Sequence, residues 1–495
     1  MPTSTVQTEI EKFLRGGPVP LYIGGTWRGA QAGGVIEVLQ PADGTRLAEV
    51  AAGESADIDD AVAAASRAFP AWSDWPVPDR AALLHRYADA IEDNLELLAH
   101  LESLDVGKPV KDALGFDVPF AAQAFRYFAD LSMHVRRSQP LPVAHMEAHQ
   151  IQVPYGPCGL IVPWNYPFLL YAWGAAPALA AGNTVVVKPA ELTPLTSLYA
   201  CHLAEQVGFP PGVVNVVPGL GETAGAALSR HTGIRRISFT GSPEVGKEVA
   251  VAAARNLIPC KLELGGKGAA VIFDDVDVPG TARKLAAAIT ANAGQVCCTA
   301  TRWIVHENVV DQLVAEAKTA LSEVTIGAGS DPATTMGPLV SETQRRRVLG
   351  YIDKGLATGA TALLEGGPFK PVGHEGGYFV KPALLAGDVD NVCARDEIFG
   401  PVAYVIPFRH EDEVIRTVNS SHYGLANSVW SADLHRAHRV AERLVAGNSW
   451  VNAHNVFAYG LPYGGVNLSG YGGGVNSPET FMDYLRPQTI ARPLG

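Results

Sequence analysis

The chain has 495 residues, 47% hydrophobic and 18% charged, with 38 Lys and Arg against 50 Asp and Glu for a net charge of −12. That composition excludes intrinsic disorder, and at roughly 150 residues per domain the length implies about three structural units with sizeable cores. The negative field repels a nucleic-acid backbone and no dense basic tract offsets it. No apolar run approaches the roughly 18 residues that span a membrane. Six cysteines (Cys158, Cys201, Cys260, Cys297, Cys298 and Cys393) are too few for a disulfide scaffold and lack zinc-site spacing. A reducing compartment and no metal are therefore expected. The opening stretch from Met1 to Gly17 holds no hydrophobic block, so a cytoplasmic location is expected.

Along the chain, 21–27 and 35–39 read as strands split by a Gly-rich turn. Ser55 reads as the N-cap of a helix with Ile58, Ala61, Val62, Ala65 and Phe69 on one face. Leu83, Leu84, Tyr87, Ala88, Ile91, Leu95 and Leu98 form a long apolar stripe, and 136–155 looks extended. From 159 to 264 the runs 159–162, 184–188, 213–217, 235–239 and 261–264 alternate with helices such as 194–207 and 243–254. Strand and helix alternating this way mark a parallel sheet with crossover helices, which binds ligands at the strand carboxyl ends. A dinucleotide site is the default expectation there. A second α/β unit runs from 265 to 469, with a strand at 269–273 and an Ala-rich helix near 281–293. The tail 481–491 is extended again. It and 136–155 are too short to stand alone, so they are expected to pair as a projecting sheet whose edges another subunit covers.

Several segments carry residues fit for chemistry. Gly294-Gln295-Val296-Cys297-Cys298 sets a cysteine behind a Gly-containing turn, as a nucleophile if its pKa is lowered, otherwise as a buried structural thiol. Glu263-Leu264-Gly265-Gly266-Lys267 ends an apolar strand in a carboxylate, a general base if it faces a cleft and a solvated strand end if not. Pro163-Trp164-Asn165-Tyr166-Pro167 offers an amide for an oxyanion, or is a rigid turn and nothing more. Lys188-Pro189-Ala190-Glu191 places a carboxylate where ribose hydroxyls are bound. Phe239-Thr240-Gly241-Ser242-Pro243-Glu244-Val245-Gly246 reads as strand, Gly turn, Ser cap and helix start, a receptor for phosphate that lacks the GxGxxG pattern. Each signal is weak taken singly.

Taken in order, Trp164-Asn165, Lys188-Pro189-Ala190-Glu191, Phe239-Thr240-Gly241-Ser242, Glu263-Leu264-Gly265-Gly266-Lys267, Gly294-Gln295-Val296-Cys297 and Glu397-Ile398-Phe399-Gly400-Pro401 resemble the NAD(P)-dependent aldehyde dehydrogenase superfamily. The resemblance runs nearly end to end, through 101–109, 336–341, Tyr423-Gly424-Leu425-Ala426 and Pro462-Tyr463-Gly464-Gly465. It implies an α/β fold with a Rossmann-like NAD-binding domain (1–135 and 156–264), an α/β catalytic domain (265–470) and a small β oligomerisation extension (136–155 and 471–495). By motif position Cys297 matches the nucleophile with Cys298 as its neighbour, Glu263 the general base, and Asn165 the oxyanion amide. Lys188 and Glu191 match the adenosine-ribose contacts, and Gly241, Ser242 and Gly246 the pyrophosphate turn and helix. Trp164 also falls on the cofactor side, Glu397 matches the contact to the nicotinamide ribose, and Phe399 the nearby ring. The implied reaction is oxidation of an aldehyde to the acid through a Cys297 thiohemiacetal and thioester. Glu191 accepts from a free 2′-hydroxyl and repels a 2′-phosphate, so NAD is expected, with NADP left open by the adjacent Lys188.

The same positions place Tyr166, Trp173, Phe457 and Tyr463 along the substrate tunnel, with Val296 and Cys298 flanking the nucleophile. This resembles part of the aromatic box of betaine-aldehyde members, which holds a quaternary ammonium by cation–π attraction. Ala291 stands where those enzymes carry a Trp, and Tyr463 where many carry another. An aromatic or medium-chain aliphatic aldehyde is therefore favoured over betaine aldehyde or an aminoaldehyde. The sequence departs from the family after Gly464-Gly465, where a Lys and later an Arg-Glu pair are usual and Val466-Asn467-Leu468-Ser469-Gly470-Tyr471-Gly472-Gly473-Gly474 stands instead. Altered loop mobility or assembly is expected from that loss of charge. Asn427 is a smaller departure, at a position where Ala or Gly is common. A CoA-acylating enzyme is disfavoured by Glu263, and a catalytically retired NAD-binding protein by the intact Cys297, Glu263 and Asn165. Thiol esterase activity is expected only as a side reaction of the same cysteine. The expected partners are a small aldehyde and copies of the same chain, as a homodimer or homotetramer, with no nucleic acid and no membrane.

Overall fold

The computed structural model describes residues 4–494, so residues 1–3 and 495 of the expected terminal segments lie outside it. Apolar β-branched runs make its two large sheets. The strands Pro157–Ile161 and Thr184–Lys188 are buried at every position, as strands covered by helices on both faces must be. The first sheet has eight strands, in the order Thr26–Arg28, Leu21–Ile23, Val214–Val216, Thr184–Lys188, Pro157–Ile161, Arg236–Thr240, Cys260–Glu263, Gly470–Tyr471. Its central strands run parallel. From Pro157–Ile161 the chain builds outward through Thr184–Lys188 to Val214–Val216, then returns to lay Arg236–Thr240 on the other side. That reversal opens a crevice at the carboxyl ends of Pro157–Ile161 and Arg236–Thr240.

The second sheet has seven strands, ordered Thr361–Leu364, Ala383–Ala386, Val402–Phe408, Ala300–His306, Gly268–Ile272, Ala426–Trp430, Asn448–Val451, all parallel but the first. The chain then returns to the first sheet, where Gly470–Tyr471 pairs antiparallel with Leu262 and Glu263. The two extended segments do pair: Leu485–Pro493 lies antiparallel along Met146–Pro154, with Ser138–Pro140 on the far side, in a separate three-stranded sheet.

Four sequence expectations shift. The 21–27 run is a hairpin, because Gly24 and Gly25 turn the chain between Leu21–Ile23 and Thr26–Arg28. Ser55 is the first helical residue of Ser55–Asp74 and not its cap; Glu54 takes that place, its N–H donating to Asp57 Oδ2 at 3.0 Å. The long stripe is two helices, Val77–Asp93 and Leu95–Val106, separated where Asn94 leaves helical geometry and its side chain donates to the Ala90 carbonyl at 2.8 Å. Phe481 sits in the short helix Pro478–Met482, and the tail strand begins only at Leu485.

Asn427 has a structural reason. The Gly268–Ile272 strand has a register irregularity between Gly268 and Ala269, and Asn427 Oδ1 accepts the Ala269 N–H there at 3.0 Å. A short polar side chain thus pairs a backbone donor that is costly to bury alone.

Candidate active site

Two cavities meet at Cys297. The larger, about 620 Å³, lies over the carboxyl ends of the first sheet and is walled by Trp164, Gly241, Ser242, Glu263, Glu397 and Phe399 among others. The smaller, about 380 Å³, opens on the other side and is walled mainly by carbon, from Phe116, Tyr166, Leu169, Phe457 and their neighbours. Asn165, Leu170, Trp173, Cys297 and Tyr463 line both.

On the larger side, Ser242 caps the helix Pro243–Arg255, its hydroxyl accepting from the Val245 N–H at 3.4 Å. Pro at the first helical position presets the backbone, and the helix start aims N–H groups and the positive dipole end at the cavity. Gly246 packs beneath, where a Cβ would lie 2.6 Å from Leu264 Cδ2. Glu397 Oε1 accepts the Gly266 N–H at 2.9 Å. Neither Gly265 nor Gly266 has a positive φ. They are glycines because a Cβ on Gly265 would run into the Glu397 carboxylate and one on Gly266 into the Cys297 carbonyl. Gln344 and Arg347 hold the Glu397–Phe399 stretch by donating to the Phe399 and Glu397 carbonyls, each at 2.7 Å. Phe399 has φ 62° and meets the Trp164 ring edge-on at 5.2 Å. Lys188 and Glu191 stand outside this cavity wall and pair with each other, Nζ to Oε2 at 2.9 Å. A crevice at a chain reversal, a capped helix start and a carboxylate beside it together fit a dinucleotide.

Cys297 follows a backbone that local preference would not choose. Asn292, Ala293 and Gly294 take φ 46°, 53° and 73°, just past the end of the helix Val278–Thr290. Left-handed geometry at a non-glycine costs roughly 1 kcal/mol or more and concentrates at functional sites. Side-chain amides hold it in place: Asn292 Nδ2 donates to the Asn165 carbonyl at 2.9 Å, and Asn165 Nδ2 to the Gln295 carbonyl at 3.0 Å. Gln295 in turn accepts the Val340 N–H at 3.0 Å. Hydrogen bonds from the Cys298 thiol and from Tyr463 draw the Cys297 thiol below the ordinary range, against burial and the Glu397 and Glu263 charges. Burial pushes Cys298 well above that range. The neighbouring thiols are thereby set apart, one toward thiolate and one away from it.

Glu263 ends its strand in the larger cavity, and its Oε2 is buried without a hydrogen-bond partner among the described residues. Burial raises its carboxyl to about 7, opposed by the Lys261 charge. Burial also raises Glu397 to about 7 and lowers Lys261 to about 8. A carboxylate titrating near neutrality suits proton abstraction from water.

On the smaller side, Lys108 Nζ sits 3.8 Å from the centroid of the Tyr166 ring, paired with Asp117 and lying 3.6 Å from Glu102 Oε1. The Trp173 indole N–H donates to the Tyr459 hydroxyl at 3.3 Å, which donates to the Phe120 carbonyl at 2.6 Å. Phe116, stacked on Phe120 at 5.1 Å, and Asn455, acceptor to the Cys298 thiol at 3.3 Å, complete this wall. Sequence reasoning missed both. Phe116 looks like any apolar helical residue, and Asn455 lies in a stretch without a motif.

The sequence profile described as "Aldehyde dehydrogenase family" matches residues 27–490. The mitochondrial aldehyde dehydrogenase of Homo sapiens is 39% identical over 459 residues, covering 91% of this chain and 88% of its own. The NAD+ complex of an aldehyde dehydrogenase from Bacillus cereus superposes with a TM-score of 0.95 at 37% identity, covering 98% of this chain and 99% of that one. The betaine aldehyde dehydrogenase of Staphylococcus aureus, also solved with NAD+, gives 0.95 at 33% identity over 99% and 98% of the two chains. The chain belongs to the aldehyde dehydrogenase family of NAD(P)-dependent oxidoreductases. No helix of the described residues is long and apolar enough to cross a membrane.

Proposed function

We propose that the protein uses NAD to oxidise an aromatic or medium-chain aliphatic aldehyde to its carboxylic acid. One observation carries this reading: Cys297, drawn toward thiolate, stands with Asn165 where a dinucleotide-shaped cavity joins a carbon-walled one, and the larger cavity also holds Glu263. Cys297 Sγ attacks the aldehyde carbon, and the carbonyl electron pair moves to oxygen. Asn165 has one amide N–H engaged by Gln295, leaving the second for that oxyanion beside the Cys297 backbone N–H. NAD held in the larger cavity would supply the hydride acceptor for this oxidation. Glu263 then takes a proton from water, whose oxygen attacks the Cys297 thioester and frees the acid.

Glu397 and Phe399 would hold the nicotinamide end, with Trp164 beside them. Gly241, Ser242 and Gly246 would receive the pyrophosphate, and Lys188 and Glu191 the adenosine ribose. Lys188 is paired to Glu191, whose carboxylate would repel a 2′-phosphate, and this favours NAD over NADP. For the substrate, Lys108 already lies 3.8 Å from the centroid of the Tyr166 ring and would repel a quaternary ammonium there, and the Trp173 N–H is engaged by Tyr459. Val296, Cys298, Phe457 and Tyr463 complete a wall suited to carbon. Leu485–Pro493 forms an exposed edge in the three-stranded sheet, so a homodimer or homotetramer covering it belongs to this reading, as does a reducing, cytoplasmic setting for six free cysteines.

The test is NADH formation with NAD and benzaldehyde, hexanal, aminobutyraldehyde or betaine aldehyde. Turnover of benzaldehyde or hexanal, abolished by Cys297→Ala and reduced to one burst by Glu263→Gln, is the expected result. Steady turnover by Cys297→Ala overturns the mechanism, and a preference for betaine aldehyde overturns the substrate assignment.

A further inference from the structure

We propose that the Tyr463 hydroxyl is a further catalytic group, which donates a hydrogen bond to Cys297 Sγ and holds that sulfur as the attacking thiolate. This rests on the assignment of Cys297 as nucleophile made above. Tyr463 Oη lies 3.3 Å from Cys297 Sγ, at the junction of the two cavities. The ring is fixed between Phe457 and Trp173, with centroids 5.2 and 5.9 Å away. The Cys298 thiol has a competing acceptor in Asn455 Oδ1, whereas Tyr463 Oη has only sulfur to donate to among the described residues.

The direction of donation follows from the surroundings. Burial keeps the Tyr463 phenol protonated far above its ordinary range, so the hydroxyl is donor and the sulfur acceptor. The other groups facing the sulfur are Cys298 on its own turn, Glu263 from the first sheet and Glu397 from the loop over Gly265. Both carboxylates oppose a thiolate. His454 does not offset them: its ring nitrogens lie 2.9 Å from Ser428 Oγ and 2.8 Å from the Cys298 carbonyl, and burial lowers it to about 4, so the ring is neutral. A phenol donor therefore supplies stabilisation that other cysteine enzymes draw from an imidazolium. During attack the S–C bond forms, the carbonyl π bond breaks, and the charge leaves sulfur for the oxygen held by Asn165. The tyrosine proton stays on tyrosine throughout.

The experiment measures alkylation of the free enzyme by iodoacetamide as a function of pH, without NAD or aldehyde, with the modified residue located by peptide mapping. The thiolate displaces iodide, so the rate follows the thiolate fraction. Tyr463→Phe keeps the ring and removes only the hydroxyl. Loss of one hydrogen bond to a charged sulfur is expected to move the midpoint up by about one pH unit, slowing alkylation about tenfold well below it. The alkaline plateau is expected to hold or rise, since a less stabilised thiolate is the stronger nucleophile. An unmoved midpoint with the label on Cys297 overturns this proposal alone. Label on another cysteine overturns the nucleophile assignment as well.

Discussion

The two sides of the site are built from different materials. The cofactor side is made of strand ends, a helix start and backbone in close approach, assembled from several short motifs that are each contiguous in the chain. The substrate side is made of side chains from four distant stretches, around 108–117, 166–173, 291–298 and 455–463. A backbone surface tolerates few residue types at each position, because an added atom has nowhere to go. A carbon wall tolerates any residue of suitable volume. The first kind of surface is therefore written in the sequence far more plainly than the second.

The contrast is broken most sharply at Gly265. Alanine there places a methyl group in the Glu397 carboxylate, so either the carboxylate or the strand end must move. NADH formation is expected to fall by about 100-fold or more, as for other displacements of about an ångström at a reacting centre. The same variant is still expected to alkylate at Cys297, with a change in rate far smaller than the loss of NADH formation, because Glu397 is only one of several groups acting on that sulfur. Full activity in Gly265→Ala would show that the cofactor side is as plastic as the substrate side.

A smaller effect is expected at Phe116, on the tunnel wall. Phe116→Ala removes apolar contact from the substrate and leaves Glu397 and Ser242 untouched. KM for hexanal is expected to rise roughly tenfold, the scale of a lost hydrophobic contact in a pocket, while KM for NAD stays unchanged. A rise in KM for NAD instead would mean that the two sides are coupled through Trp173 and Tyr463.

Legibility in the sequence follows the same division. The five parallel strands of the first sheet were readable to within a residue or two at their ends, because buried parallel strands are continuous apolar runs, whereas the hairpin at 21–28 and the added strand Gly470–Tyr471 were not. That Cys297, Glu263 and Asn165 share one cavity was expected from the order of their motifs and the family resemblance those motifs carry together, not from any one motif alone. The break at Asn94 was not readable, since an apolar stripe runs across it without interruption. The left-handed path through Asn292 and Ala293 was equally hidden: neither residue demands that geometry, and only the amide network with Asn165 and Gln295 imposes it. The contact between Tyr463 and Cys297 joins residues 166 positions apart, beyond any local pattern.

The smallest expected effect concerns the loop that departs from the family pattern. Gly472, Gly473 and Gly474 have φ 101°, 103° and 67°, and each runs against protein: a Cβ on Gly472 would lie 2.8 Å from the Cys260 carbonyl, and one on Gly474 2.6 Å from the Tyr463 carbonyl. The three glycines bring the Gly474 carbonyl onto Lys261 Nζ, two residues before Glu263 on the same strand face. Lys261 is thus held beside the base, with Arg236 and Asp483 as its other charged neighbours. Its charge offsets part of the burial that raises Glu263 to about 7. In Lys261→Met that offset is gone, so the Glu263 carboxyl titrates higher still. Where thioester hydrolysis limits turnover, the rate rises with pH as Glu263 deprotonates, and the midpoint of that rise is expected to move up by roughly half a unit. On the acid limb the variant is then about threefold slower. Above about pH 8 the two enzymes converge, because Lys261 loses its own proton there. The pH dependence of kcat for hexanal reads this directly. A uniform loss at every pH would make Lys261 a support for the loop and not a partner of Glu263.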